Sequence, residues 1–267
     1  MINLTIVGAA GRMGRRLVAL AGEDPELDVV GATERPESAE LGMDAGLLAC
    51  GITTNVRITD DLAKACIDSD VVIDFSHRDG GLLRAKTVFA AGCAYVVGTT
   101  GYTDDEKIEL RNLAKDGRLV FAYNYSVGIN MLINLCGKVA TILGDDYDIE
   151  IVEMHHNQKV DAPSGTAERL AEALAEARDL RYHENVVHGR RGMVGKRDKK
   201  EIGIHALRGG DVVGEHTIIF STGGERIELT HKASSRDTFA KGALRAAKHV
   251  AAAAPGEYDM REILGIE

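Results

Sequence analysis

The sequence predicts an α/β protein with two domains: a doubly wound parallel sheet first, then an α+β domain with one open mixed sheet. Two observations carry this prediction. In the first half of the 267 residues, short apolar runs alternate with amphipathic stretches, as expected when helices cover both faces of a parallel sheet. After Tyr125 the pattern changes to a long apolar helix and then to alternating strands joined by glycine-containing turns. Chains of this length commonly divide into two domains.

The elements of the first domain follow one another in a regular order. Five apolar runs are predicted to be buried strands: 3–7, 28–32, 71–75, 95–97 and 119–122. Three amphipathic stretches between them are predicted helices: 12–22, 79–91 and 104–116. A last helix, at 236–254, is expected to return to this domain. We therefore assign residues 1–127 and 236–267 to the first domain.

The second domain, 128–235, has a different pattern. Residues 128–143 form an apolar helix and 147–154 a strand. A further helix is expected to begin near Pro163, with Asp161 as its cap. Three segments then alternate like antiparallel strands joined by Gly-containing turns: 201–207, 212–220 and 225–232.

Composition and charge argue against several kinds of protein. The net charge of −9 argues against nucleic acid or an anionic membrane as the main partner. The four cysteines lie far apart without a CxxC pair, so free thiols in a reducing compartment are expected. No secretory signal or membrane-spanning run is seen at the N-terminus, and the expected location is the cytoplasm. The basic segment 183–200 has no clear period and is expected to be a mobile surface loop.

A glycine-rich loop follows the first predicted strand. Gly8, Gly11 and Gly14 have the spacing G-x-x-G-x-x-G between a strand and a helix, a variant of the Rossmann dinucleotide-binding fingerprint. Such glycines let the backbone approach a pyrophosphate, and the helix N-terminus offers it free N–H groups. Glu34 ends the second strand and can accept both ribose hydroxyls, whereas Arg35 can pair with a 2′-phosphate. We therefore predict that this domain binds both NADH and NADPH.

Two further loops follow predicted strands, at the edge of the sheet where ligands of such folds bind. Residues 98–101, Gly-Thr-Thr-Gly, follow one strand, and residues 122–126, Ala-Tyr-Asn-Tyr-Ser, follow another. Small residues in the first loop suit close approach of the backbone to a ligand. Both loops are candidate contacts for the nicotinamide and its ribose, and ordinary turn chemistry is the alternative for each.

The stretch 153–167 carries the strongest chemical signal in the chain. A predicted strand ends at His155 and His156, and Lys159 follows. Histidine and lysine supply protons and positive charge. Beside them, hydroxyls and backbone N–H groups at a helix N-terminus can hold an anion; the residues concerned are Ser164, Gly165 and Thr166.

The two adjacent histidines do not predict a metal site, because neighbours on a strand point to opposite faces and no third ligand has a convincing spacing. A purely structural histidine remains an alternative, and His216 and His231 are expected to be structural. From the residues alone, the predicted function is the reduction of a small mono- or di-anion that has a reducible double bond. A different two-domain dehydrogenase of amino-acid metabolism and a non-catalytic dinucleotide-sensing protein are the rival functions.

The motifs H-H-x-x-K-x-D-x-P-S-G-T at 155–166 and G-x-x-G-R-M-G at 8–14 resemble the signature of the 4-hydroxy-tetrahydrodipicolinate reductase family. Further matches extend the resemblance over essentially the whole chain: 98–101, 124–130, 208–216 and 230–236. The resemblance implies reduction of 4-hydroxy-tetrahydrodipicolinate by NADH or NADPH, with loss of water, in lysine and diaminopimelate biosynthesis. It also implies a homotetramer assembled through the second domain.

The resemblance further implies roles for individual residues. His155 matches the proton donor and acceptor, and Lys159 matches a second proton donor that also binds substrate. The implied substrate contacts are His156, Gly165 and Thr166. The implied cofactor contacts are Gly8, Ala9, Ala10, Gly11, Arg12, Met13, Glu34, Arg35, Gly98, Thr99, Thr100, Ala122, Tyr123, Asn124 and Tyr125. Some members have Phe in place of Tyr125, which is expected to alter packing beside the nicotinamide. Arg208 and Lys232 lie in matching segments, and spacing assigns them no role.

Overall fold

A computed structural model describes residues 1–266. The chain forms two compact units: the first contains Met1–Val127 and the C-terminal segment from Arg236, and the second contains Gly128–Ser235. The strands, in chain order, are β1 (Ile2–Val7), β2 (Leu27–Thr33), β3 (Ile58–Thr59), β4 (Val71–Asp74), β5 (Ala94–Val97), β6 (Arg118–Phe121), β7 (Asp148–His155), β8 (Val186–His188), β9 (Ile202–Arg208), β10 (Gly214–Thr222), β11 (Glu225–Ala233) and β12 (Gly256–Tyr258).

The helices alternate with these strands in the first unit and flank the sheet of the second. In chain order they are α1 (Arg12–Gly22), α2 (Ala45–Cys50), α3 (Leu62–Ala65), α4 (Gly81–Ala90), α5 (Asp104–Leu113), α6 (Val127–Leu143), α7 (Gly165–Ala177), α8 (Tyr182–Asn185), α9 (Asp237–Ala251) and α10 (Met260–Leu264). A short 3-10 turn, Gly144–Asp146, follows α6.

The first unit is built on a seven-stranded parallel sheet with the order β12-β6-β5-β4-β1-β2-β3. All four residues of β4 and of β5 are buried, because α1 and α9 cover one face of the sheet while α4 and α5 cover the other. This confirms the predicted doubly wound architecture. The strand order changes direction between β1 and β4, and in open α/β sheets ligands bind at the carboxyl ends of the strands near such a point.

The second unit contains a five-stranded mixed sheet with the order β11-β10-β7-β9-β8. Strand β10 is antiparallel to both of its neighbours, whereas β7, β9 and β8 are mutually parallel. Helices α6 and α7 cover one face, where their apolar side chains pack against Ile149, Ile151 and Phe220. On the other face Val152, Met154 and Ile219 are partly exposed, so the predicted open mixed sheet is confirmed.

The expected antiparallel run of strands over 201–232 is wrong in one respect. Strands β9 and β10 are not neighbours, because β7 pairs with both of them and lies between them. The glycine-containing segment that joins them is therefore not a hairpin turn but a connection across the end of β7. Its Gly209 N–H donates to the carbonyl of His155 at 2.9 Å, and its Gly210 carbonyl accepts from the Asn157 N–H at 3.2 Å.

The expected start of α7 is also corrected. The helix begins at Gly165, and its N-cap is Ser164, whose hydroxyl accepts the N–H of Ala167 at 3.2 Å. Pro163 precedes the cap, and the carboxylate of Asp161 is bound to Lys159 instead of to the helix.

Two further segments are held by contacts within the second unit. Segment 183–200 includes the end of α8 and all of β8, and ion pairs from Arg190 and Arg197 to Glu150 hold its remainder against the sheet. The stretch Val127–Asp146 is long and apolar enough to cross a membrane, by length and composition only. One such helix is weak evidence for a membrane span, and its buried residues pack in the core of the second unit.

Candidate active site

The loop between β1 and α1 is held by backbone hydrogen bonds. The N–H groups of Gly8 and Ala9 donate to the carbonyl of Thr33 at 2.9 and 3.0 Å. Gly8 has a φ of +74°, in the left-handed region that favours glycine. A Cβ on Gly14 would lie 2.0 Å from the Gly8 carbonyl oxygen, so no side chain fits there without displacing α1. The loop thus leaves the N-terminus of α1 open to phosphate groups.

Glu34 and Arg35 extend this loop along a large cavity. One oxygen of the Glu34 carboxylate accepts the N–H of Ala10 at 3.0 Å, and the other accepts the N–H of Arg35 at 3.3 Å. The cavity has a volume of about 1400 Å³, and Gly8 and Gly11 also line it. This exceeds the roughly 300–1,000 Å³ of ordinary small-molecule sites, as an elongated dinucleotide requires. The residues present therefore fit the predicted cofactor.

The loop after β4 lines the candidate cofactor cavity, and the sequence analysis did not predict it. Ser76 and His77 line the same cavity, and a Cβ on Gly8 would lie 3.2 Å from the Cβ of Ser76. The signal was available, because this loop follows a buried strand of the parallel sheet just as the two identified loops do.

Asp74, the last residue of β4, organises this edge of the sheet. Its side chain is 0% exposed. It accepts hydrogen bonds from Arg84 Nε at 2.7 Å, from the Tyr95 hydroxyl at 2.6 Å, from the Ser76 hydroxyl at 2.5 Å and from Thr99 Oγ1 at 3.1 Å. Burial raises the pKa of Tyr95, which keeps this phenol a donor. The carboxylate therefore ties the loops after β4 and β5 together.

A second, smaller cavity of about 290 Å³ is lined by Met13, Phe75, Gly98, Tyr123, Asn124, Tyr125, Arg236 and Phe239. Tyr123 is 65% exposed, whereas Tyr125 is 2% exposed. The Tyr125 hydroxyl donates to the carbonyl of Val97 at 2.8 Å, and its ring packs against Phe75. Tyr125 therefore anchors the loop in the core, while Tyr123 and Asn124 face the cavity.

The remaining predicted cofactor residues lie outside these two cavities. Ala9 and Thr99 are buried behind the loops, at 2% and 5% exposure. Arg12 and Thr100 are exposed, and Ala122 is partly buried. Thr99 turns its hydroxyl inward to Asp74, so only its backbone remains for a ligand.

The second candidate site surrounds Glu153, near the end of β7. Glu153 and His155 lie two residues apart on one face of the strand, and His155 Nδ1 is 2.7 Å from a Glu153 oxygen. Arg208 donates to both oxygens, at 2.8 and 2.9 Å, and the N–H of Ser164 donates to one of them at 3.0 Å. Burial alone would raise the pKa of Glu153, but hydrogen bonds from His155 and Arg208 lower it to about 2. The carboxylate is therefore ionised at neutral pH.

Ser164 and His216 form an inner layer of this site. Ser164 is 3% exposed, and its hydroxyl pairs with His216 Nε2 at 3.1 Å besides capping α7. Burial lowers the pKa of His216 to about 3, so this imidazole is neutral. The polar groups of Ser164 thus face the protein. Gly165, which is exposed, and Thr166, which is partly exposed, stand at the start of α7.

Lys159 and His156 complete the group. Lys159 Nζ lies 2.7 Å from the Asp161 carboxylate and is 19% exposed, whereas Asp161 is 59% exposed. The hydrogen bond from Lys159 lowers the pKa of Asp161. This pairing is one that a substrate carboxylate can replace. The Nδ1 atom of His156 is buried without a hydrogen-bond partner among residues 1–266.

Arg208 and Lys232 differ in position, although the sequence assigned a role to neither of them. Arg208 is opposite His155 in the β7–β9 register, on the helix-covered face. Lys232 lies on the open face, where it pairs with Glu215 at 3.2 Å. Arg208 therefore belongs to the candidate site, whereas Lys232 does not. Within residues 1–266, no group of three or more His, Cys, Asp or Glu side chains is arranged to hold a metal ion.

Comparison with known proteins supplies two family matches and several full-length relatives. The model described as "Dihydrodipicolinate reductase, N-terminus" matches residues 2–125, and its C-terminal counterpart matches residues 128–264. A 4-hydroxy-tetrahydrodipicolinate reductase of Hahella chejuensis is 48% identical over 267 residues, which is 100% of both chains. One from Anaeromyxobacter dehalogenans is 47% identical over 266 residues, covering 100% of this chain and 98% of the relative.

Among solved structures, a dihydrodipicolinate reductase from a Paenisporosarcina species, with dipicolinate bound, has the same fold. The TM-score is 0.74 at 24% sequence identity, and 98% of each chain is covered.

Proposed function

The chain belongs to the dihydrodipicolinate reductase family, and from this premise we propose how its residues divide the work of the reaction. The protein is an NAD(P)H-dependent oxidoreductase that reduces 4-hydroxy-tetrahydrodipicolinate to tetrahydrodipicolinate, with loss of water, in lysine and diaminopimelate biosynthesis. The observation that carries the residue assignment is the grouping of His155 and Lys159 around the start of α7. Arg208 links the two, because it binds both Glu153 and the Asp161 carbonyl.

We assign cofactor binding to the first unit. The glycine loop and the N-terminus of α1 hold the pyrophosphate. Glu34 holds the adenosine ribose, since each carboxylate oxygen can accept more than the one hydrogen bond it has. Arg35, which is exposed beside it, pairs with the 2′-phosphate of NADPH. When bound, the reduced nicotinamide supplies the hydride.

Substrate binding and proton transfer belong to the second unit. The substrate is a cyclic dicarboxylate, and Lys159, His156 and the N-terminus of α7 at Gly165 and Thr166 offer positive charge and N–H groups to its carboxylates. Hydride addition leaves electron density on the ring that must take up a proton. His155 donates this proton, and Lys159 both holds a carboxylate and serves as the second donor.

The assembly and location follow as proposals. The face of the second sheet opposite α6 and α7 carries the apolar side chains of Val152, Met154, Ile219 and Leu207, the last 48% exposed. A homotetramer built through this face would cover them, and closed symmetry is the usual outcome for homo-oligomers. Sedimentation at micromolar concentration tests this, and a monomer alone would contradict it. A cytoplasmic location fits the four free cysteines.

The decisive experiment is an assay with both cofactors. Substrate is generated in situ by dihydrodipicolinate synthase, and oxidation of NADH or NADPH is followed by absorbance. We expect oxidation that depends on the synthase and on this protein. A rate no higher than that of the synthase-free control would remove the assignment.

A further inference from the structure

We propose that Glu153 and Arg208 are positioning residues for proton transfer: the buried Glu153 carboxylate sets the tautomer and orientation of His155, and Arg208 holds and neutralises that carboxylate. This inference rests on the proposed role of His155 as proton donor. It also assigns a task to Arg208, which no motif explains.

The tautomer follows from the chemistry of the contact. An ionised carboxylate can only accept hydrogen bonds. Because Glu153 is ionised and lies 2.7 Å from His155 Nδ1, the proton of the neutral imidazole must be on Nδ1. The proton that is exchanged is therefore the second one, which converts the neutral imidazole to imidazolium, and it binds at Nε2, the nitrogen that is not paired with Glu153.

Nε2 of His155 has no hydrogen-bond partner among residues 1–266. The ring of His216, on β10, packs edge-on against the His155 ring with the two centroids 5.3 Å apart, and it is neutral because burial lowers its pKa to about 3. Another close neighbour of His155 is Gly214, where a Cβ would lie 3.1 Å from Nε2, tighter than an ordinary contact. His155 is thus bound on one nitrogen and open on the other, as a group that exchanges protons with a substrate must be.

Arg208 has a geometry that a lysine cannot supply. Its two terminal nitrogens bind different oxygens of Glu153, at 2.8 and 2.9 Å, which is the bidentate arrangement typical of guanidinium and carboxylate. One of these nitrogens also donates to the carbonyl of Asp161 at 2.7 Å, and so connects the carboxylate to the segment that carries Lys159.

Charge balance explains why both residues are needed. Glu153 is 0% exposed, and Arg208 is 21% exposed. If Glu153 were alone, it would stabilise the protonated imidazole and hold its proton. Arg208 already balances the negative charge of Glu153. The carboxylate can therefore orient His155 without holding the imidazole in its protonated form, and the imidazole can release a proton and regain it.

This account predicts opposite effects on the pH dependence of kcat. In Glu153→Gln, the protonated imidazole loses a counter-charge, so the basic limb of the profile moves to lower pH. In Arg208→Gln, Glu153 is left to the imidazolium alone, and the limb moves to higher pH. Each shift is expected to be about one pH unit, with kcat at its optimum reduced roughly tenfold or more. Arg208→Lys keeps the positive charge but loses the bidentate geometry. The basic limb of its pH profile should therefore stay at the wild-type pH, while kcat at the optimum falls.

The experiment measures these profiles for the wild type and the three variants, with saturating NADH. Arg169→Gln serves as the control, because it removes a cation from the exposed Arg169–Glu172 pair on α7, and its profile should match the wild type. Titration with NADH and with pyridine-2,6-dicarboxylate reports whether each variant retains its binding sites. If Glu153→Gln does not fold, the two Arg208 variants decide the question.

An active wild type whose Arg208→Gln and Arg208→Lys profiles have the same limb positions as its own would overturn the proposal, and so would shifts of Glu153→Gln and Arg208→Gln in one direction. An inactive wild type would instead overturn the proposed function, so the two failures are distinguishable.

Discussion

Each unit of this protein has a fully buried carboxylate at its candidate site, Asp74 in the first and Glu153 in the second, and the two differ in what they bind. Asp74 is paired with Arg84, and it also accepts from the hydroxyls of Tyr95, Ser76 and Thr99 and from the N–H of Ser76. Glu153 is paired with Arg208, but it also binds an imidazole whose second nitrogen is open.

The difference follows from where the chemistry comes from. In the proposed division of the reaction, the cofactor held by the first unit carries the reactive atoms, and the protein supplies shape and orientation. A buried carboxylate that ties two loops together is sufficient for that task. In the same proposal the second unit supplies the proton, and there the pairing of carboxylate and arginine is coupled to a histidine.

The largest expected effect is a loss of turnover, from substitutions in the second unit, without a loss of NADH binding. Replacing His155 with Gln should lower kcat by about 10²–10⁴-fold with a modest rise in KM. Lys159→Ala should lower kcat and raise KM together, because the ammonium also holds a substrate carboxylate. Steady-state kinetics measures both, and NADH titration should stay near the wild-type value because the dinucleotide loop lies in the other unit. Near-normal kcat in both variants would remove these residues from the mechanism.

The next effect concerns stability and cofactor binding in the first unit. Asp74→Asn leaves Arg84, whose side chain is 20% exposed, without its counter-charge, and breaking such a pair costs about 3–5 kcal/mol. We expect a comparable loss in the free energy of unfolding, measured with urea, together with weaker NADH binding because the loops of Ser76 and Thr99 are released. Lys86→Gln, which breaks the exposed pair with Glu109, is the control and should cost less than about 1 kcal/mol. Equal effects of the two substitutions would contradict the role given to Asp74.

A smaller effect is expected in the pH dependence of the free energy of unfolding, and two carboxylates of the second unit cause it. The pKa of Glu153 is lowered to about 2, and so is that of Glu150, where the effect of burial is outweighed by hydrogen bonds from Arg190, His205 and Arg197. Both carboxylates stabilise the folded state at pH values above 4.5, the ordinary pKa of a glutamate. That stability is lost as pH falls from there through about 2, on the order of 3 kcal/mol for each group.

Urea unfolding at a series of pH values tests this. Glu150→Gln should make the free energy of unfolding less dependent on pH below its ordinary pKa, because one group no longer takes up a proton on unfolding. An unchanged slope in this variant would show that the ion pairs around Glu150 do not contribute.

The smallest expected effect lies within the first unit and tests cofactor choice. Arg35→Ala should weaken NADPH binding more than NADH binding, by roughly 1–3 kcal/mol for a charge-assisted hydrogen bond. Titration of the variant with each cofactor gives the difference. Arg57→Ala, an exposed cation of the same unit outside the cavity, should leave the ratio unchanged. Equal losses for the two cofactors would sink the assignment of Arg35.

Much of this protein is determined by its sequence, because the relevant signals are local. Alternation of apolar runs with amphipathic stretches predicts the parallel sheet and its helices. The glycine spacing at 8–14 and the histidine and lysine spacing at 155–159 identify both candidate sites. Seven short elements escaped this reasoning, namely α2, β3, α3, α8, β8, β12 and α10. The helices among them, of four to six residues, are too short to show a period, and the strands, of two or three residues, are too short to form an apolar run.

Only the tertiary structure shows which residues meet at the second site, because this depends on the order of strands in the sheet. Arg208 and Glu153 are 55 residues apart in the chain, and they meet because β7 lies between β9 and β10. Arg208 and Lys232 come from similar basic strand ends, yet pleating directs one to the helix-covered face and the other to the open face. Periodicity states which residues share a face, but it does not state which strands are neighbours, because that choice is made by packing among distant segments.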